Sequence, residues 1–153
     1  MRRNKQAMYL HLVWATWDRE PLVTPDIERR IHRSIETEAR GMGCDVLAIG
    51  GMPEHVHLVV KIPATVTIAD LVKQVKGVSS HFAGETLGLK GSFKWQGTYG
   101  AFSVSRWDVD RVIGYVERQK QHHADESLVP DWEEAAEETD PPALPPLPGV
   151  TSN

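Results

Sequence analysis

Runs of β-branched and aromatic residues alternate along the chain with segments in which apolar residues recur every three or four positions. The first kind of run predicts strands and is clearest in the segment HVHLVVKI, which Pro63 closes. Turn residues such as Pro53 and Gly97 separate neighbouring runs. The predicted strands are residues 7–17, 44–52, 55–62, 93–96 and 99–105.

Three segments have the apolar spacing of an amphipathic helix. The first, residues 25–40, follows Thr24, a favoured N-cap, and places Pro25 at the first helical position. The second begins at Thr67, and the third covers residues 108–123. The order β-α-β-β-α-β(β)-α predicts a ferredoxin-like (RRM-like) α+β fold with an additional C-terminal helix. We therefore expect an antiparallel sheet with helices on one face.

Length and composition indicate an ordinary globular protein. The 153 residues favour one compact domain, and 41% hydrophobic with 25% charged residues is average usage. No segment approaches the roughly 18 consecutive apolar residues of a membrane helix, and no apolar core of a signal peptide follows the basic N-terminus. Cys44 is the only cysteine, which excludes an intramolecular disulfide. We expect a cytoplasmic protein with no membrane partner.

The net charge of −4 conceals two regions of opposite sign. All 17 basic residues and 13 of the 21 acidic ones lie in residues 1–123, which therefore carry +4. Residues 124–153 hold eight acids, no base and five prolines near the end, a composition typical of disorder. We therefore expect one domain, residues 1–123, and an acidic, Pro-rich, disordered tail, residues 124–153. The basic body is compatible with a polyanionic partner, for which the tail would compete.

Two pairs of residues are candidates for chemistry. His55 and His57 are two apart on a predicted strand, so both imidazoles project from one face and supply half of a metal site. Tyr115 and Gln119 are four apart on the last predicted helix and share one face of it. Each also has an ordinary interpretation: two incidental strand histidines, a core tyrosine and a solvated glutamine.

Together these residues resemble the single-tyrosine transposases of the insertion-sequence 200/605 type. These enzymes belong to the HUH nuclease superfamily and include the REP-associated tyrosine transposases. The resemblance covers residues 9–123 and rests on the segments YLHLVWATWDREPLVT, GGMPEHVHLVV, KWQGTYGAFSVS and YVERQKQHH. Glu54 stands where relatives often carry Asp, and the acidic tail departs from a minimal family member.

The resemblance implies a specific activity. In it His55 and His57 are the paired metal ligands, Gln119 is the third ligand, and Tyr115 on the catalytic helix is the nucleophile. The implied cofactor is Mg²⁺ or Mn²⁺, with no nucleotide cofactor. The implied reaction is cleavage and rejoining of single-stranded DNA at hairpin-bearing ends through a 5′-phosphotyrosine intermediate. A homodimer and a bacterial or archaeal, nucleoid-associated location are also implied.

Two alternative functions stay open at this point. One is a domesticated relative that processes repetitive extragenic palindromes, and the other is a non-catalytic protein that binds DNA hairpins. Trp95, Tyr99 and Trp107 are candidates for stacking on unpaired bases, with a core position as the alternative. Candidate contacts to DNA phosphates are the basic residues Arg2, Arg3, Lys5, Lys73, Lys76 and Lys90.

The first predicted strand is apolar on both faces, which bears on assembly. Leu10, Leu12 and Trp14 alternate along it with Val13 and Ala15. One face must pack on the helices, and the other also needs cover. We expect a second copy to supply this cover in a two-fold homodimer with two composite sites, each with His55 and His57 from one chain and Tyr115 with Gln119 from either chain.

Overall fold

The structure, a computed structural model, describes residues 4–133. Within them the strands are β1 (Tyr9–Ala15), β2 (Asp45–Met52), β3 (His55–Lys61) and β4 (Gly100–Val104). The helices are α1 (Glu28–Gly41), α2 (Ile68–Glu85), α3 (Val109–Glu117), α4 (Gln119–Ala124) and the short α5 (Pro130–Glu133). All strand pairs are antiparallel in the order β2-β3-β1-β4. This is the ferredoxin-like order, and the predicted α+β fold is confirmed.

Helices α1 and α2 pack against one face of the sheet. Leu12 and Trp14 of β1 are fully buried on this face, and Leu58 of β3 lies directly opposite Leu12. Ile35 of α1 and Leu71 of α2 belong to the same hydrophobic cluster. Burial of each such aliphatic side chain contributes about 1.5–3 kcal/mol. The sheet and these two helices therefore form a rigid base for the residues on the other face.

Helix α2 begins at its predicted N-cap residue, whereas helix α1 does not. The Thr67 hydroxyl accepts a hydrogen bond from the Asp70 backbone N–H at 3.1 Å, so α2 begins as predicted. Helix α1 begins at Glu28, three residues later than predicted. The reason is local, because the Thr24 hydroxyl donates to the Asp26 carboxylate instead of accepting from a backbone N–H.

Helix α3 covers the second face of the sheet. Val112 and Val116 of α3 pack there against Val59 of β3. Gly50 of β2 permits this approach, since a Cβ at that position would lie 2.0 Å from the Val116 carbonyl oxygen.

The second face of β1 is also buried within the chain, where Val13 is fully buried and the Trp132 ring of α5 contacts His11. The expectation that a second copy must cover this face is therefore wrong. The homodimer itself stays a prediction.

Two elements predicted from the sequence differ in the structure. The last predicted helix is broken at Arg118, which has φ −110° and ψ 30° and separates α3 from α4. Both the backbone N–H and the Nε of Arg118 bond the Gly114 carbonyl, at 3.2 and 3.1 Å, and so close the end of α3. Residues 93–96 form no strand, since Trp95 makes only an isolated bridge with Thr16.

The predicted acidic tail is described only in its first ten residues. These include α5 and bring Glu133 back to the body, whereas residues 134–153 lie outside the described residues. No helix in residues 4–133 combines the length and apolar character that crossing a bilayer requires.

Candidate metal and nucleophile site

The two histidines of strand β3 lie side by side on the face of the sheet that α3 covers. His55 and His57 pair with Ala15 and Val13 near the end of β1. Only 1% of His55 and none of His57 is exposed, and their ring centroids are 4.9 Å apart. The predicted projection of both imidazoles from one face is confirmed.

Helices α3 and α4 bring Tyr115 and Gln119 against these histidines. The Tyr115 ring centroid lies 6.2 Å from that of His57 and 4.6 Å from that of His122, on which it stacks. Gln119 is 1% exposed, and its Oε1 accepts a hydrogen bond from His55 Nε2–H at 3.3 Å. Tyr115 thus packs in the core, as the ordinary interpretation held, yet its hydroxyl points at the cluster. The solvated position considered for Gln119 is wrong.

Glu133, at the end of α5, is a residue of this site that sequence reasoning missed, as it also missed His11 of β1. Its Oε2 lies 3.0 Å from His57 Nε2 and 3.3 Å from His55 Nε2. Its Oε1 accepts a hydrogen bond from the Tyr115 hydroxyl. In the sequence Glu133 is one of eight acids in a segment without bases, so nothing distinguishes it. The available signal was the neighbouring Trp132, whose ring packs against Tyr115 at 5.0 Å.

Two more histidines contact the cluster through hydrogen bonds. His11 of β1 shares a 2.8 Å bond between its Nε2 and His57 Nδ1. His123 Nε2–H donates to Gln119 Oε1 at 3.2 Å. The amide oxygen of Gln119 is therefore held toward the imidazoles from both sides, which fixes its orientation.

The charges of the cluster depend on one another. Burial acts to lower the pKa of His55, but hydrogen bonds to the Glu133 and Glu54 carboxylates outweigh it and raise that pKa to about 9. Burial acts to raise the pKa of Glu133, yet hydrogen bonds from the two histidines hold it well below its usual range. Burial, reinforced by the bond to Glu133, raises the pKa of Tyr115 to about 12. At neutral pH His55 and Glu133 form an ion pair, and Tyr115 is a neutral phenol.

The donor atoms of the cluster fit a small divalent cation. One ligand atom from each of His55, His57 and Glu133 lies within 4.8 Å of the others. Gln119 Oε1 adds a neutral oxygen beside His55. Two imidazoles with a carboxylate and an amide oxygen suit Mn²⁺, and the oxygens also suit Mg²⁺. The carboxylate of Glu133 adds a negative charge to the neutral set of three ligands that the family resemblance implied.

Two of the candidate DNA contacts lie beside one cavity of about 390 Å³, between α2 and the segment that precedes β4. Lys76 Nζ donates to the backbone oxygens of Gln96 and Thr98 at 2.5 and 2.9 Å, so it holds this segment in place. Lys73 is exposed at the rim of the cavity. Tyr99 is half-buried in its wall. Lys73 and Tyr99 are therefore the better placed for a ligand.

The other described candidates, Lys90 and Lys5, make no contact with the cluster among the described residues. Lys90 is exposed, with its Nζ 3.5 Å from a carboxylate oxygen of Glu85. Lys5 is exposed near the N-terminus. Arg2 and Arg3 lie outside the described residues.

The two tryptophans proposed for base stacking differ in exposure. Trp95 is buried, and its indole N–H donates to the Ser79 hydroxyl at 2.9 Å, so it is a core residue. Trp107 is 78% exposed, with the Arg106 guanidinium 4.2 Å from its ring centroid. An exposed ring beside a cation is suited to stacking on an unpaired base.

Comparison with known proteins places this geometry in context. A family model described as "Transposase IS200 like" matches residues 4–119. The chain is similar to the ISDra2 transposase TnpA of Deinococcus radiodurans, with 25% identity over 127 residues that cover 78% of this chain and 91% of the relative.

Two solved structures have a similar fold. One is a Deinococcus radiodurans protein assigned as a transposase, with a TM-score of 0.59, 24% identity, and coverage of 78% of this chain and 98% of that one. The other is a REP-associated tyrosine transposase bound to a REP hairpin. Its TM-score is 0.61 at 15% identity, with 99% of this chain and 98% of that one covered.

Proposed function

Because the chain belongs to the family of IS200-like transposases, we propose that it cleaves and rejoins single-stranded DNA with Tyr115 as the nucleophile. One observation carries this proposal: the Tyr115 hydroxyl is directed into a buried cluster of two imidazoles and a carboxylate that can hold a divalent cation. The test is incubation with hairpin-bearing single-stranded DNA and Mn²⁺. We expect a covalent protein–DNA complex that survives a denaturing gel.

The proposed reaction exchanges one phosphodiester bond for another. The Tyr115 oxygen bonds to phosphorus, the bond to the 3′ oxygen breaks, and the strand is left with a free 3′-OH. The phenolic proton leaves as the bond to phosphorus forms and the departing 3′ oxygen takes one up, so the net proton transfer is from Tyr115 to that oxygen. Glu133 Oε1 accepts the hydrogen bond from the hydroxyl and orients it for this step. Because the phosphotyrosine retains an ester bond, a second 3′-OH can reverse the step and join strands without ATP.

His55, His57, Gln119 and Glu133 are the residues that would hold the cation, Mg²⁺ or Mn²⁺. When bound, such a cation polarises the scissile phosphate and offsets its developing negative charge. Binding requires the Nε2 lone pairs of both histidines, but without the cation both Nε2 atoms carry protons that face the Glu133 carboxylate. Protons and the cation therefore compete for the Nε2 lone pairs of the two histidines.

Exchange of Glu133 for Gln tests the additional ligand. The change removes a negative charge and leaves the side-chain volume almost unaltered. We expect the Mn²⁺ affinity without DNA to fall at least about tenfold, equivalent to about 1.4 kcal/mol, because a neutral amide oxygen replaces a carboxylate. Isothermal titration calorimetry measures this.

Asp131→Asn is the matched control, since Asp131 is an exposed acid on the same short helix. It should bind Mn²⁺ as the wild type does. An unchanged affinity of the Glu133→Gln protein would show that this carboxylate is not a ligand.

The substrate we propose is single-stranded DNA that carries a hairpin. Two observations support it: the basic balance of residues 1–123, and the fold shared with a protein that was solved on a REP hairpin. Lys73, Tyr99 and Trp107 are the described candidates best exposed for such a ligand. A transposase of a mobile element and a domesticated enzyme that processes palindromic repeats would use the same chemistry at Tyr115.

We further propose a homodimer in which each site is assembled within one chain, because Tyr115 and Gln119 already contact the histidines of their own chain. A mixture of His57→Ala and Tyr115→Phe proteins should therefore form no adduct with DNA. Wild type mixed with His57→Ala is the control and should retain its adduct.

Adduct formation by the mixture of the two variants would contradict assembly within one chain. Sedimentation velocity at the working concentration tests the dimer separately, and a monomer there would refute it.

A further inference from the structure

A further side chain reaches the cluster from the centre of the sheet. His11 lies on β1, is 1% exposed, and stacks on His57 with ring centroids 5.0 Å apart. Its Nε2 is 2.8 Å from His57 Nδ1. Its own Nδ1 is buried and has no hydrogen-bond partner among the described residues. Nothing in the proposed reaction uses this imidazole.

A buried imidazole at this position lowers the stability of the folded protein. One of its two nitrogens is unpartnered, and an unsatisfied buried polar atom costs about 1–3 kcal/mol. The ring also contacts Phe102, with centroids 6.0 Å apart, so an apolar ring would suit the surroundings. The hydrogen bond to His57 is what distinguishes histidine from phenylalanine here.

The chemistry of His57 defines what that hydrogen bond does. A histidine that presents the lone pair of Nε2 to a cation must carry its proton on Nδ1, and this N–H needs an acceptor. Among the described residues, His11 Nε2 provides the hydrogen bond to that atom. We propose that His11 is a positioning residue that accepts the Nδ1–H of His57 and so presents His57 Nε2 to the divalent cation.

Histidine is suited to this position because its Nε2 can act in either direction. While His57 Nε2–H donates to Glu133 at 3.0 Å, the neutral His57 has a lone pair on Nδ1, which accepts from His11 Nε2–H. If a cation takes the Nε2 lone pair, His57 releases its Nε2 proton and receives the shared proton on Nδ1, so the bond to His11 reverses. His11 takes up one proton on its Nδ1, which balances the proton released, and both rings stay neutral. One side chain thus supports both states of the site.

The test is a comparison of three variants in Mn²⁺ binding without DNA, measured by calorimetry. His11→Phe retains a ring and loses the hydrogen bond, so we expect the affinity to fall about 10- to 100-fold, as is typical when the partner of a metal-ligating histidine is removed. His11→Gln can accept or donate near the position of Nε2, since its amide can flip. It should restore the affinity to within about threefold of the wild type. His32→Phe, which replaces another buried histidine, on α1, should bind normally.

Thermal unfolding without metal separates positioning from folding. The midpoint of His11→Phe should equal or exceed that of His11→Gln, although its metal affinity is lower. If Phe does not fit, His11→Leu takes its place in the series. Wild-type affinity in the variant without a hydrogen bond would overturn the inference, and so would equal losses in both variants.

The inference rests on the proposed metal site, and the two can fail separately. Mn²⁺ binding by the wild type with no effect of His11→Phe refutes only the role of His11. Absence of Mn²⁺ binding by the wild type refutes the metal site, and the role of His11 with it.

Discussion

A Tyr115→Phe protein is expected to fold normally and to form no covalent complex with DNA. The change deletes one hydroxyl and retains the ring that packs among Val112, Val116 and Trp132. The hydroxyl donates to Glu133 and accepts from the Val129 backbone N–H at 3.1 Å. Loss of these bonds should cost about 1–3 kcal/mol of folding free energy.

A denaturing gel after incubation with labelled hairpin DNA and Mn²⁺ detects the complex. Tyr9→Phe is the matched control, since Tyr9 lies at the opposite end of β1 from the cluster, and it should form the complex as the wild type does. A complex formed by the Tyr115→Phe protein would exclude Tyr115 as the nucleophile.

The second large effect is expected from His57→Ala. Removal of this imidazole takes away one of the cation's nitrogen ligands. We expect the Mn²⁺ affinity to fall by more than about 100-fold, because even groups that only support a ligand are typically worth about 10- to 100-fold. Cleavage should then be lost, and His55→Ala should behave likewise.

Hairpin binding serves as the internal control for both alanine variants. The candidate DNA contacts, such as Lys73 and Trp107, do not belong to the histidine cluster, so the affinity for a hairpin should persist. Fluorescence anisotropy with a labelled hairpin measures that affinity. Undiminished cleavage by either variant would contradict the assignment of the two histidines as ligands.

Local patterns in the sequence predicted the fold and half of the site. Strand periodicity is two, so the spacing of His55 and His57 alone places both imidazoles on one face. The order of strands and helices follows from similar short-range signals, such as the Thr67 cap and the run HVHLVVKI. These features depend on neighbours within a few residues, which a single sequence displays.

The rest of the site depends on contacts that no local pattern encodes. Glu133 is reached through α5, four residues long, and its partners His57 and Tyr115 lie 76 and 18 residues before it. The many acidic residues around Glu133 predicted a solvated tail. Nothing in that pattern distinguished Glu133, the acid that contacts the histidines, from its neighbours. The break at Arg118 was missed for a related reason, since side-chain bonding to the Gly114 carbonyl competes with an otherwise continuous helical pattern.

The partner predicted from the sequence for the second face of the sheet, namely a second copy of the chain, is also wrong. An apolar strand such as β1 shows that both faces are buried and does not show by what. Here α3 of the same chain covers β2 and β3 through a close approach at Gly50, and Trp132 of α5 contacts His11 of β1. The presence of Gly50 and Gly51 in β2, where a strand seldom carries glycine, was the available indication.

The most direct measurement is to map the covalent bond between protein and DNA. Wild-type protein is incubated with Mn²⁺ and a single strand that carries a hairpin, then digested, and the DNA-linked peptide is identified by mass spectrometry. The account predicts a 5′-phosphate ester on Tyr115 together with a free 3′-OH on the released strand. Attachment at another residue, or cleavage that leaves an unattached 5′ phosphate as its first product, would contradict it.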